Sequence, residues 1–181
     1  MTDRRAALLR LLTERSFAKR KVTLASGRES DFYIDCKQTT LHPEGLWLTG
    51  ELFCDALEGS GIEAVAGPTL GADPIIAAIS VVSAQRGHGL PAIIVRKEPK
   101  GHGTGAYLEG VDKLAKGLKI AVFEDVVTSG GSMLKAIDRI IDGGFIVTRC
   151  FALVDRLEGG SEAIKARGFD LHALFTRADF P

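Results

Sequence analysis

The sequence predicts an α/β protein with a central, mostly parallel β-sheet flanked by helices. Two observations carry this expectation. From residue 62 onward, short and nearly uninterrupted apolar runs alternate with segments of helical length, the pattern of strands buried on both faces. The polar, glycine-rich stretches GPTLGADP, RKEPKGHGTG, EDVVTSGGS and DRLEGG each lie at or after the end of such a run. Polar chemistry is therefore collected at the carboxyl ends of the strands, where sheets of this kind bind ligands.

The elements follow in chain order. Residues 3–16 set Leu8, Leu11 and Leu12 at helical spacing, and Glu29–Lys37 alternates like a strand. Gly45–Leu57 reads as a helix with Leu46, Phe53 and Leu57 on one stripe. Ile62–Gly67 is a strand and Pro74–Gln85 an apolar helix; Ala92–Lys97 and Leu118–Asp125 are further strands. Ser132–Asp142 is a helix with Met133, Leu134, Ile137, Ile140 and Ile141 directed inward, stopped by Gly143 and Gly144. Val147–Asp155 and Leu171–Phe175 complete the sheet. With no repeat or low-complexity linker, the 181 residues suit one domain spanning 1–181.

Composition narrows the function. Twenty-three basic and 23 acidic residues give a formal charge of zero with no long basic run, which favours no nucleic-acid partner. No apolar stretch approaches a membrane span, and MTDRRAALLRLLTERS lacks a signal-peptide core, so no membrane association and a cytoplasmic address are expected. Cys36, Cys54 and Cys150 are odd in number and widely spaced, as reduced and mostly buried thiols would be.

The stretch VFEDVVTSGGS, Val122–Ser132, joins a buried-looking strand to two adjacent acids and two adjacent glycines. Neighbouring carboxylates repel and paired glycines are conformationally costly, so both need a compensating role. Thr128, Ser129, Gly130, Gly131 and Ser132 stand just before a helix. Hydroxyls, free backbone N–H groups and the helix dipole make such a turn a cradle for phosphate. Glu124 and Asp125 cannot bind that anion, but they can accept hydrogen bonds from sugar hydroxyls or stand beside a metal. A capped helix start with two solvated acids is the plainer alternative, and it is the less specific one.

A second segment, Val95–Gly110, holds Arg96, Lys97, Lys100 and His102 within seven residues, among glycines and a proline. Its cations suit a polyanion, and its glycines suit a flexible loop that closes over one. Gly101, Gly103 and Ala106 also satisfy the G-x-G-x-x-A dinucleotide pattern. The charged run before Gly101 leaves no strand leading into it, and Gly110 and Gly117 leave little room for a crossover helix. A dinucleotide site is therefore disfavoured.

On these residues the chain resembles the type I phosphoribosyltransferases, which bind 5-phosphoribosyl-1-pyrophosphate (PRPP). The resemblance implies that fold, with a small hood at about 1–40, a PRPP-binding core at about 45–160 and a flexible catalytic loop. It implies that Glu124 and Asp125 contact the ribose hydroxyls, while Val126, Val127 and Thr128–Ser132 surround the 5′-phosphate. The segment Arg96–Gly103 is similar to the catalytic loop of the orotate phosphoribosyltransferases. There the cations clamp pyrophosphate, with Arg96, Lys100 and His102 serving the partner subunit of a homodimer and Lys97 its own site. Lys100, His102 and Asp125 are the catalytic candidates.

TLASGRESDFYIDCK, Thr23–Lys37, is similar to the family's hood, where Ser26, Gly27, Tyr33 and Ile34 would frame the pyrimidine. Thr128 would join them, and Arg156 in VDRLEGG would pair with the orotate carboxylate, a task suited to its planar fork. Some relatives carry lysines where Ala25 and Gly71 stand here. The resemblance also implies Mg²⁺, carried mainly by PRPP with Glu124 and Asp125 nearby and no direct protein ligand. The implied reaction makes orotidine 5′-monophosphate and pyrophosphate, a step of pyrimidine biosynthesis. A transferase for another base and a non-catalytic nucleotide sensor on the same fold are the alternatives.

Overall fold

The computed structural model describes residues 3–23, 29–99 and 107–181. Helix α1 (Arg4–Arg15) starts at Asp3, whose carboxylate accepts the Arg5 N–H at 2.9 Å, and buries Leu8, Leu11 and Leu12. Strands β1 (Phe17–Thr23) and β2 (Glu29–Ile34) then pair antiparallel as a separate ribbon. Helices α2 (Lys37–Thr40) and α3 (Pro43–Leu57) lead into β3 (Ala64–Pro68), α4 (Asp73–Gln85), β4 (Ala92–Val95) and β5 (Leu108–Glu109). The chain continues through β6 (Lys119–Val127), α5 (Gly131–Asp142), β7 (Ile146–Asp155), α6 (Gly160–Ala166) and β8 (Leu171–Thr176).

The main sheet has the order β5-β4-β3-β6-β7-β8, with every neighbouring pair parallel except β4 and β5. From β3 the chain winds outward to one side and from β6 to the other. The boundary between them is the topological switch point, where loops leave in opposite directions and open a crevice.

Alternation along β6 divides the core in two. Ala121 and Phe123 pack with α1, α3 and α4, while Ile120 and Val122 pack with α5 and α6. Phe123 stacks on Phe151 at 5.0 Å between ring centres, and Phe53 meets Phe123 edge-on at the same distance. All three cysteines are buried free thiols. Burial raises each above the usual thiol value, Cys150 to about 12.

Several sequence expectations shift. Strand β6 runs past the two acids to Val127, because parallel pairing with β7 continues through Val126 and Val127 opposite Val154 and Asp155. Ile141 is 47% exposed; α5 turns Met133, Ala136, Ile137 and Ile140 inward instead. In α3, Leu48 is buried and Leu46 only half-buried. β1, α2, β5 and α6 have no counterpart in the sequence reading.

Candidate active site

The switch point is bordered by two loops. Residues 69–72 connect β3 to α4, and residues 128–130 connect β6 to α5. The first is compressed: a Cβ on Gly67 would collide with the Ala72 side chain and come within 2.8 Å of the Phe123 carbonyl. In the second, Gly130 adopts a left-handed φ of 77°, which a side chain would strain. A cleft of about 140 Å³ lies there, lined by Glu124 and by Val126, Val127, Thr128, Ser129, Gly130, Gly131 and Ser132. A roomier cavity of about 400 Å³ opens at the opposite, amino-terminal edge between Leu57–Ile62 and Ser83–Leu90, away from these residues.

Glu124 and Asp125 do not share a face. Being consecutive in a strand, they project to opposite sides of the sheet. Glu124 is 8% exposed and turns toward α5, accepting hydrogen bonds from Ser132 and the Met133 backbone N–H. Burial pushes its carboxyl up to about 7; the Ser132 bond opposes this, the Asp125 charge adds to it, and the Lys97 charge opposes it. Asp125 turns toward α2. Burial raises it as well, and the nearby Lys37 ammonium is the largest opposing influence. Neighbouring acids are thus tolerated because the sheet separates their carboxylates.

Around Asp125 the packing is close. The Cys36 thiol lies 3.8 Å from the Asp125 carbonyl, and Lys37 is held by Asp35 at 2.5 Å. A Cβ on Gly71 would land on the Asp125 carboxylate. Glycine at 71, where some members of the resembled family carry lysine, therefore leaves the space that this carboxylate fills.

Arg156 is buried beside the hood strand β2. It donates through Nη2 to the Phe32 carbonyl at 3.1 Å and through Nε to Glu158 at 2.9 Å, and its guanidinium lies 5.3 Å from the centre of the Phe32 ring. Tyr33 is half-buried, and Ile34 is buried in the core, which leaves its side chain out of reach of a ligand. Arg96 is half-buried and paired with Glu109 at 2.9 Å; Lys97 is exposed, within electrostatic reach of Glu124. Ser26, Gly27, Lys100 and His102 lie outside the described residues.

The arrangement joins a glycine- and hydroxyl-lined cleft, a buried acid (Glu124) and a half-buried one (Asp125) on opposite faces and, next to β2, a buried guanidinium. Lys37, Gly71, Phe32 and Glu158 were not assigned roles from the sequence. Their parts depend on contacts between segments far apart in the chain.

No family model matches the chain. The orotate phosphoribosyltransferase of Sorangium cellulosum is 51% identical over 177 residues, covering 97% of this chain and 92% of that protein. The Mycobacterium tuberculosis orotate phosphoribosyltransferase in complex with Fe(III) dicitrate superposes with a TM-score of 0.83 at 35% identity, covering 98% of each chain. The same enzyme in complex with PRPP gives a TM-score of 0.81 at 34% identity, again covering 98% of each chain.

Proposed function

The chain belongs to the orotate phosphoribosyltransferase family, and from that premise we propose that the switch-point crevice is its PRPP site and Arg156 its orotate anchor. The enzyme is a pentosyltransferase that moves the 5-phosphoribosyl group from PRPP to orotate, giving orotidine 5′-monophosphate and pyrophosphate. The observation that carries the site assignment is the cradle Thr128–Ser132 abutting the buried Glu124 where β3 and β6 diverge.

In this reading the hydroxyls and backbone N–H groups of Thr128–Ser132 hold the 5′-phosphate at the start of α5. Glu124 and Asp125 take the ribose hydroxyls from opposite faces of the strand end, and their charge stabilises the oxocarbenium-like centre that develops at the anomeric carbon. Lys97, with Arg96, Lys100 and His102 from a neighbouring copy, surrounds the departing pyrophosphate. Arg156 grips the orotate carboxylate, and Glu158 and the Phe32 carbonyl fix the plane of its guanidinium. The hood residues Ser26, Gly27, Tyr33 and Ile34, with Thr128, frame the pyrimidine. Positioning and electrostatics supply the rate, since little covalent help is required.

Mg²⁺ fits this surrounding. Glu124 and the half-buried Asp125 are both raised by desolvation, and the ionised form of each gains from a nearby cation. The ion would arrive on PRPP and supply positive charge to the pyrophosphate. We read residues 1–181 as one phosphoribosyltransferase domain acting in the cytoplasm; no helix among the described residues is long and apolar enough to cross a membrane.

Incubation with orotate, PRPP and Mg²⁺ should yield orotidine 5′-monophosphate by mass spectrometry, and chelation of the metal should stop it. No product under these conditions would overturn the reading. For the shared-site dimer, mixing Asp125→Asn and Lys100→Ala chains should restore activity in verified hybrids, and complete silence there would remove the sharing.

A further inference from the structure

Arg139 lies two turns into α5, outside every motif recognised in the sequence. Its guanidinium donates through Nη1 to the Arg96 carbonyl at 2.6 Å and through Nη2 to the Lys97 carbonyl at 3.0 Å. It also covers the Tyr107 ring, 4.1 Å from guanidinium carbon to ring centre. One side chain therefore grips both sides of the β4–β5 stem, the outgoing residues 96–97 and the returning Tyr107. The stem is closed by the Arg96 N–H donating to the Tyr107 carbonyl at 2.8 Å and by the Arg96–Glu109 ion pair.

The rest of α5 is anchored to the same neighbours. Its first turn carries Gly131 and Ser132 of the phosphate cradle. Near its far end, a Cβ on Gly143 would stand 2.5 Å from the Leu108 side chain on β5. Met133, Ala136, Ile137 and Ile140 fix the helix against the sheet. Seven residues separate Ser132 from Arg139, about 10 Å along a helix axis. A straight, packed helix transmits position over that span, and a guanidinium with two charge-assisted bonds and a ring contact defines both distance and orientation.

We propose that Arg139 is a positioning residue that sets the stem at a fixed distance from the 5′-phosphate cradle, and with it Lys97, the stem cation that serves this chain's own site. This rests on the PRPP reading given above. Helix α5 then acts as a spacer between the two anionic ends of one substrate. It holds the 5′-phosphate at its start and, through Arg139, places the backbone from which Lys97 projects toward the pyrophosphate of the same site. Lysine cannot replace arginine here, since a single ammonium cannot span two carbonyls and cover the ring.

The test separates the two ends of PRPP with two ligands, Mg²⁺-pyrophosphate and ribose 5-phosphate, each titrated calorimetrically. Arg139→Ala should weaken pyrophosphate about tenfold and leave ribose 5-phosphate within about twofold, with kcat falling at least about tenfold at saturating substrates. Arg139→Lys, which keeps the charge and the packing stem, should recover only part of the loss. Tyr107→Ala should add less than its own effect when combined with Arg139→Ala, as groups in one contact do. Equal weakening of both ligands would mark a general structural role and overturn the proposal, as would no change in either or full recovery by Arg139→Lys. Wild-type protein that binds neither ligand and forms no product would instead overturn the phosphoribosyltransferase reading itself.

Discussion

At the scale of single residues, Glu124 has the most informative environment. Its carboxyl, raised by burial from 4.5 to about 7, is largely protonated in the unliganded protein at mildly acid pH. Unfolding returns it to its ordinary value, so between about pH 4.5 and 7 the native state holds a proton that the unfolded chain releases. The contribution of Glu124 to stability is therefore greatest below that window and is lost as pH rises through it. At about 1.4 kcal/mol per pKa unit, the loss approaches about 3 kcal/mol. Denaturation of wild type and Glu124→Gln across this range should show that slope in the wild type and a flatter line in the variant. Identical slopes would remove the desolvated acid as its source. The sequence revealed the paired acids but not their separation, because the apolar run stops at them and hides the strand's continuation. Only the β7 pairing beyond Asp125 places one carboxylate on each face.

At the scale of elements, the proposed phosphate cradle depends on a neighbour that the sequence does not announce. Helix α6 is only seven residues long and begins at Gly160, just after a glycine cap at Gly159, too short for helical periodicity to announce. Yet Gly160 abuts the cradle: a Cβ there would strike Val127 and approach the Thr128 carbonyl at 2.8 Å and the Gly130 nitrogen at 3.1 Å. Gly160→Ala should push α6 and the cradle apart, raising the KM for PRPP about tenfold and costing about 1–3 kcal/mol of stability. The KM for orotate, which the proposed site assigns to Arg156 and the hood, should stay unchanged; an unaltered PRPP KM would show that the cradle tolerates the shift. Strand β5, with two residues, escaped notice for the same reason of length. Helical spacing identifies a stripe but not its width: α5 meets the core along Met133, Ala136, Ile137 and Ile140 with Leu134 at the margin, and Ile141 is left exposed.

At the scale of the whole molecule, the sheet order explains why separate motifs converge on one edge of the sheet. GPTLGADP and EDVVTSGGS lie some 50 residues apart in the chain, yet β3 and β6 are adjacent at the switch point. Arg156 joins them by following β7, and its bond to the Phe32 carbonyl ties the hood to the core. This convergence was legible in the sequence because polar loops followed each apolar strand. The supporting contacts were not, since Arg139 to Arg96 and Gly71 to Asp125 cross between elements.

The pairing of a PRPP site with an orotate-specific arginine is the central claim, and substrate competition measures it most directly. Values of kcat/KM should be compared for orotate, uracil, adenine and hypoxanthine with PRPP and Mg²⁺, in wild type and Arg156→Leu. The account predicts that orotate exceeds every other base by at least about 10³-fold, because only orotate among them offers a carboxylate to the Arg156 guanidinium. It also predicts that Arg156→Leu removes most of that preference. Equal or better use of another base, or an orotate preference untouched by Arg156→Leu, would contradict it.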